Sequence, residues 1–190
     1  MTLTMLELVL FTILTAATPL VIAAIGELVT ERSGVLNLGV EGMMIAGAAC
    51  AFATAIFTGS TMLGILGGIG AGLVLSAIFG VLVIFVAANQ VATGLALTIL
   101  GTGLSGLIGS NFIGLKRDAA VHLYIPVLSD LPLVGKLLFA HDLFVYIGWA
   151  LVAGVAWFLS RMRAGLVLRA IGENHDSAHA LGLPVRRVRF

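Results

Sequence analysis

The chain has 190 residues, of which 60% are hydrophobic and 10% are charged, and its formal net charge is +1. An average soluble domain is about 25% charged, and a fold of this length has too little interior to bury so much apolar surface. The composition therefore excludes a water-soluble domain, and the near-zero charge gives no indication of nucleic-acid binding. We expect an integral membrane protein embedded in the lipid bilayer.

Apolar segments recur along the chain, and each approaches the roughly 20 residues that a spanning helix needs. Residues 42–115 contain no Asp, Glu, Lys, Arg or His, and in lipid only helices or closed barrels satisfy their own backbone. Strict alternation of polar and apolar residues is absent, which favours helices. The sequence predicts an all-α, polytopic transmembrane bundle in a single domain, residues 1–190, with spans at residues 3–25, 38–57, 62–87, 91–115 and 143–160.

The connection after the first predicted span is charged and rich in glycine. It reads GELVTERSGVLNLGVEG, residues 26–42, and Ser33-Gly34 is the predicted helix break. One interpretation is a cytoplasmic loop in which Arg32 pairs with Glu27 or Glu31. The other is a partly re-entrant segment lining a translocation path, because charges at membrane depth usually face a bundle interior or a water-filled cavity. The candidate path or gate residues are Glu27, Glu31, Arg32, Asn37 and Glu41.

Small residues recur at every fourth position of the third predicted span. They are Gly64, Gly68, Gly72, Ser76 and Gly80, and the fourth span has a similar row at Gly101, Ser105 and Gly109. This spacing places small side chains on one helix face, where two backbones can approach closely in lipid. We expect Gly64, Gly68, Gly72 and Gly80 to serve helix packing.

The positions of the basic residues set the predicted orientation, since cytoplasmic segments carry an excess of Lys and Arg. The tail after the fifth span, residues 163–190, is rich in arginine and is expected in the cytoplasm. The connector at residues 116–142 is then external, and residues 26–37 lie on the cytoplasmic side.

The tail contains the signals of one short helix. Asn174 or Asp176 can cap its start, Gly182 fits just past its end, and Pro184 follows as a stop. Two helical turns are not stable alone, so this helix must dock on something. Ala178 and Leu181 give it an apolar edge, which suits a groove on a partner protein.

No residues of this sequence form a pattern typical of catalysis. His175 and His179 are four residues apart and could face one metal ion, but we expect them to be polar surface and predict no metal site. Cys50, the single cysteine, is expected to be a small packing residue. A phosphate-binding loop of the GxxxxGK[ST] type is absent, so we expect no ATP hydrolysis, no cofactor and no enzymatic activity in this chain.

Two stretches, ERSGVLNLGVEG at residues 31–42 and RAIGENHDSAHALGL at residues 169–183, resemble the membrane permeases of bacterial ABC importers. The likeness is strongest to the simple-sugar (ribose-type) and nucleoside group and more distant to branched-chain amino acid permeases. The first stretch is fairly specific for the sugar and nucleoside branch, whereas the second marks the wider superfamily. Position 175 is His where the family commonly has Pro.

The resemblance implies a multi-pass protein of the bacterial inner membrane that passes a small polar solute. It implies a separate ATPase subunit using ATP and Mg²⁺, a second permease subunit, identical or different, and an extracytoplasmic substrate-binding protein. The residues that it assigns to ATPase docking are Gly172, Glu173, Asn174, Ala178, Leu181 and Gly182.

Family members continue with further spans, so we expect a C-terminally truncated permease. Two alternatives from other classes stay open. One is a stand-alone channel or ion-coupled carrier, and the other is a truncated membrane protein that transports nothing.

Overall fold

The computed structural model describes residues 3–116 and 141–190. The connector predicted at residues 116–142 therefore lies almost entirely outside the described residues. In chain order the described α-helices are α1 (Leu3–Arg32), α2 (Val40–Thr58), α3 (Thr61–Gly80), α4 (Gln90–Gly109), α5 (Leu143–Arg161), α6 (Arg163–Glu173), α7 (His175–Ala180) and α8 (Val185–Arg189).

Five helical segments are long and apolar enough to cross a membrane: Met5–Arg32, Val40–Thr58, Thr61–Phe85, Gln90–Phe112 and Leu143–Arg161. The predicted all-α, polytopic fold with about five spans is confirmed. The chain is a multi-pass membrane protein.

Two helices differ at their ends from the prediction. The first predicted span stops at residue 25, but α1 continues to Arg32, so Glu27, Glu31 and Arg32 lie in its last two turns and not in a loop. Gly26 does not end the helix, since no stop signal follows it before Ser33-Gly34. The third span changes from α-helix to a π-helical segment at Val81–Phe85.

The described residues form two compact units, of which the first comprises Met1–Gly26 and Asp118–Ser160. Its described part consists of most of α1 and α5. His141 is fully buried there, and its ring stacks on Phe11 with the centroids 4.4 Å apart. The Thr15 hydroxyl lies 3.4 Å from Nδ1 of the same ring.

The second unit comprises Glu27–Arg117 and Arg161–Phe190. Its core contains side chains from residues 33–39, α2, α3, the π-helical segment and α4: Val35, Met43, Ala46, Leu75, Phe79, Val83 and Leu97. Both stretches that carry the family resemblance belong to this unit.

Glycines set the close approach of α3 to α2. A Cβ added at Gly64 would lie 2.6 Å from the Ala55 Cβ, and one added at Gly68 would lie 2.9 Å from the Ala51 Cβ. Of the other two predicted packing glycines, Gly80 lies against the Phe190 ring, and Gly72 has nothing within 4 Å. The row of small residues at four-residue spacing on α3 thus contacts α2 along only part of its length.

Candidate functional site

The chain leaves α1 through a tight turn at Ser33-Gly34. Gly34 has φ +82°, its N–H donates to the Glu31 carbonyl at 2.9 Å, and the Val35 N–H donates to the Thr30 carbonyl at 3.1 Å. This pair of bonds is the Schellman motif, which satisfies the last carbonyls of a helix and favours glycine at the left-handed position. Val35 is buried in the core, which fixes the direction of the chain after the turn.

The Glu27 carboxylate, near the end of α1, stabilises the connection between α1 and α2, residues 33–39. Its Oε1 accepts a hydrogen bond from the Asn37 N–H at 2.8 Å, and its Oε2 accepts one from the Thr30 hydroxyl at 3.1 Å. In the part of the chain that the structure describes, the predicted pairing of Arg32 with Glu27 or Glu31 is not formed, and the contact of this kind is that of the His175 imidazole with the Asp176 carboxylate, at 3.7 Å. The half-buried Glu27 instead bonds to the backbone, a charge-assisted contact at close range.

Two side chains of α4 form hydrogen bonds to the same connection. The Gln90 Oε1 accepts from the Leu36 N–H at 2.7 Å, and the Thr98 hydroxyl donates to the Leu38 carbonyl at 3.0 Å. Asn37 is 8% exposed, and its Oδ1 accepts from the Gly39 N–H at 2.9 Å. Side chains therefore bond the non-helical backbone of this connection at Leu36, Asn37, Leu38 and Gly39.

Gln90 and Thr98 were not predicted from the sequence as residues of this site. Gln90 stands in a polar turn between two spans, directly after the Asn89 that caps α4. That polarity was a usable signal, because a turn that only reverses the chain does not require a glutamine. Thr98 gave no signal, since a threonine inside a span commonly bonds its own helix, as Thr98 also does to the Gly94 carbonyl at 3.2 Å.

Glycines let the start of α2 touch α4 through the backbone. A Cβ on Gly42 would lie 2.7 Å from the Leu97 carbonyl oxygen, and a Cβ on Gly101 would collide with the backbone of Gly42 itself. A Cβ on Gly94 would lie 2.8 Å from the Leu38 nitrogen. Small residues at such a crossing allow close packing in lipid.

The predicted path residues divide into two groups. Glu27 and Asn37 are brought together by a hydrogen bond, and both are at least partly buried. Glu31, Arg32 and Glu41 are exposed in this chain. The first pair shapes the connection, whereas the other three present charge on its surface.

The short tail helix is α7, and its ends carry the expected residues. The Asn174 Oδ1 accepts from the Ser177 N–H at 2.9 Å, which caps the start. Gly182 has φ +80°, and the Leu183 N–H reaches back to the Ala178 carbonyl at 3.1 Å, a second Schellman turn.

The residues predicted to dock an ATPase point in different directions. Ala178 is 3% exposed, so it packs inside this unit and does not belong to an open apolar edge. Leu181 is 81% exposed, and Glu173, Asn174 and Gly182 are exposed as well. Leu181, directly after α7, is therefore the large apolar side chain exposed at the end of this helix, and a substitution at Ala178 would act on folding.

The tail contacts the turn that ends α1. A Cβ on Gly172 would collide with the Arg32 carbonyl, and a Cβ on Gly34 would lie 3.3 Å from the Gly172 Cα. The Arg189 guanidinium donates a short hydrogen bond to the Gly34 carbonyl. The two stretches that carry the resemblance, far apart in the sequence, thus meet backbone to backbone at Gly34 and Gly172.

We expect Glu27→Ala to lower the free energy of unfolding by about 1–3 kcal/mol, because the part-buried Asn37 N–H would lose its acceptor. Glu27→Gln keeps an acceptor oxygen and should cost less than half as much. Thermal unfolding of the detergent-solubilised chain, followed by helical circular dichroism, measures both. Glu31→Ala is the matched control on the exposed side of the same helix, and equal melting of the Glu27→Ala and Glu31→Ala variants would contradict the assignment.

Comparisons with known proteins identify the family of this chain. The model of a family described as "Branched-chain amino acid transport system / permease component" matches residues 9–190. No solved structure matches the chain significantly.

Three curated relatives align over nearly the whole chain. A provisionally named glucose ABC transporter permease protein from Haloferax volcanii is 40% identical over 179 residues, covering 92% of this chain and 54% of the relative. A guanosine ABC transporter permease protein from Bacillus subtilis is 31% identical, covering 92% and 58%. A nucleoside ABC transporter permease protein from Lactococcus lactis is 29% identical, covering 97% and 62%.

The chain thus spans a little more than half the length of the curated relatives that it matches. The family model covers it from the first helix to the last residue, including both stretches that meet at Gly34 and Gly172. With this match over its five candidate spans, the chain belongs to the permease components of the branched-chain amino acid transport system family.

Proposed function

We propose that this chain forms part of the membrane permease of an ABC importer for a small polar solute, a simple sugar or a nucleoside. The observation that carries the proposal is the contact between Gly172, three residues before α7, and the turn at Gly34 that follows α1. It joins the helix expected to meet the ATPase to the segment expected to border the path. The names of the glucose, guanosine and nucleoside relatives support the substrate class.

In this mechanism α7 docks in a groove of a separate ATPase subunit, which binds and hydrolyses ATP with Mg²⁺. The exposed Leu181 enters the groove, and Glu173 and Asn174 border it. The tail then lies in the cytoplasm, in agreement with its arginines. Closure of the ATPase displaces α7, and the Gly172–Gly34 contact passes that displacement to α1 as a rigid-body shift.

The path itself would be lined by the exposed charges of this region. Glu31 and Arg32 lie in the last turn of α1, and Glu41 lies in the first turn of α2. A carboxylate in the last turn of a helix is disfavoured by the helix dipole. The stability of α1 therefore gives no reason for a glutamate at position 31. We assign these three residues to contact with solute or water, and Glu27 with Asn37 to the shape of the wall.

A second permease subunit, identical or related, would complete the path, and an extracytoplasmic binding protein would deliver the solute. Both partners follow from the proposed importer mechanism. Selectivity would then be divided between the binding protein and the charged groups of the path.

We expect Leu181→Asp in the full-length permease to reduce copurification of the ATPase subunit at least tenfold, because a desolvated carboxylate opposes docking in an apolar groove. The permease is purified by an affinity tag from membranes that contain both proteins, and the ATPase recovered is quantified. Leu166→Asp, on α6 and also exposed, is the matched control and should leave recovery unchanged.

Two results would contradict the proposal. One is unchanged ATPase recovery with Leu181→Asp. The other is solute transport by the permease alone in liposomes without nucleotide, which would assign it to the channels or ion-coupled carriers.

A further inference from the structure

An amphipathic groove of about 680 Å³ lies in the second unit, next to the connection between α1 and α2, because its lining includes Gln90 and Arg189, which bond Leu36 and Gly34. One wall is apolar and consists of Val83, Ile84 and Ala87 at the end of the third span. The opposite wall is formed by α7, α8 and the residues between them. The groove therefore has a hydrocarbon side and a polar side.

The polar side carries an excess of positive charge. It contains Arg186, Arg187 and Arg189, the carboxylate of Asp176, and the imidazoles of His175 and His179. With the histidines neutral, three arginines and one aspartate leave two net positive charges. The Asp176 carboxylate lies 3.7 Å from the His175 Nε2 and forms no ion pair with an arginine among the described residues. The Arg189 guanidinium donates to the Gly34 carbonyl, which leaves the guanidinium groups of Arg186 and Arg187 for a ligand.

The groove lies beside the end of one candidate span and the start of the next. Val83 and Ile84 belong to the candidate span Thr61–Phe85, and Gln90 begins the next span, Gln90–Phe112. The groove therefore opens where two spans end, which is the level of the lipid headgroups. Clusters of arginines next to spanning helices attract anionic lipids electrostatically.

We propose that this groove binds an anionic phospholipid, with the phosphate on Arg186 and Arg187 and the glycerol and first acyl carbons on Val83 and Ile84. A guanidinium offers several N–H donors in a planar fork that matches a phosphate group. A free phosphate ion would gain nothing from the apolar wall, and a neutral lipid would gain little from the arginines. The combination of both walls selects a lipid, independently of any transport activity.

The test is native mass spectrometry of the whole chain in a neutral detergent with added phosphatidylglycerol or phosphatidylcholine. We expect wild type to retain phosphatidylglycerol in preference to phosphatidylcholine. The double variant Arg186→Gln/Arg187→Gln should bind phosphatidylglycerol about tenfold or more weakly, since each arginine near a membrane surface contributes on the order of 1 kcal/mol. Arg163→Gln/Arg169→Gln removes the same charge from exposed positions outside the groove and should leave binding unchanged.

Ile84→Ser tests the apolar wall and should also weaken phosphatidylglycerol binding without changing the net charge. An equal loss of phosphatidylglycerol binding in the two double-arginine variants would mean that the lipid responds only to the net charge of the protein. That result would overturn the proposal. Displacement of the lipid by millimolar inorganic phosphate would assign the groove to free phosphate. If Arg186→Gln/Arg187→Gln kept the lipid but lost the ATPase subunit, the groove would be a protein-binding surface.

Discussion

Gly101→Ala should lower the free energy of unfolding by about 3 kcal/mol. The added Cβ would collide with the carbonyl, the carbonyl carbon and the Cα of Gly42. These are backbone atoms at the start of α2, so no side chain can rotate away and α2 must separate from α4. That separation would also break the bond between the Thr98 hydroxyl and the Leu38 carbonyl.

The measurement is the thermal midpoint and the monodisperse yield of the detergent-solubilised chain. Gly103→Ala, two residues along the same helix, is the matched control, because nothing lies within 4 Å of the position of its Cβ. It should melt at or slightly above the wild-type temperature, since alanine favours a helix over glycine. If the Gly101→Ala and Gly103→Ala variants have the same thermal midpoint, the close packing of α2 against α4 described here is wrong.

Gly172→Ala should separate the tail from the turn that ends α1 and thereby uncouple the proposed importer. The new Cβ would collide with the Arg32 carbonyl and lie 3.1 Å from the Gly34 nitrogen. Leu181 stays in place, so the full-length permease should retain the ATPase subunit while solute uptake falls by about tenfold or more. Retained binding with lost uptake distinguishes this defect from the docking defect of Leu181→Asp.

A distance measurement tests the same contact without transport. Spin labels at Glu31→Cys and Glu173→Cys, both exposed, report the separation of the turn from the tail in a Cys50→Ala background. In the Gly172→Ala variant the distance should lengthen and its distribution should broaden. Gly154→Ala, a glycine with open space around it, is the control. An unchanged distribution in the Gly172→Ala variant would show that the contact does not hold the tail.

Local signals in the sequence predicted much of this fold. Hydropathy predicted five spans, the Ser33-Gly34 dipeptide lies at the turn that ends α1, and Asn174 and Gly182 lie at the ends of α7. Each of these features depends on residues within one or two helical turns. The extension of α1 to Arg32 was missed because the charged, glycine-rich residues 26–42 were assigned as a whole to the connection after the first span.

The partners of the connection could not be predicted, since they depend on tertiary packing. Gln90 and Thr98 are 54 and 60 residues from the atoms that they bond. Ala178 was expected on an open edge because its helix was considered alone, and only packing within the second unit buries it. A single sequence contains no signal that pairs such distant positions.

The bond between Gly34 and Arg189 has a consequence for the synthesis of this protein. Its two residues are 155 positions apart, so a ribosome that adds about 5–20 residues per second needs roughly 8–30 s to make the second after the first. During this interval the turn after α1 is held by its own Schellman bonds and, once α4 has been inserted, by Gln90 and Thr98. The turn should therefore be completed in stages, and the tail should join it last.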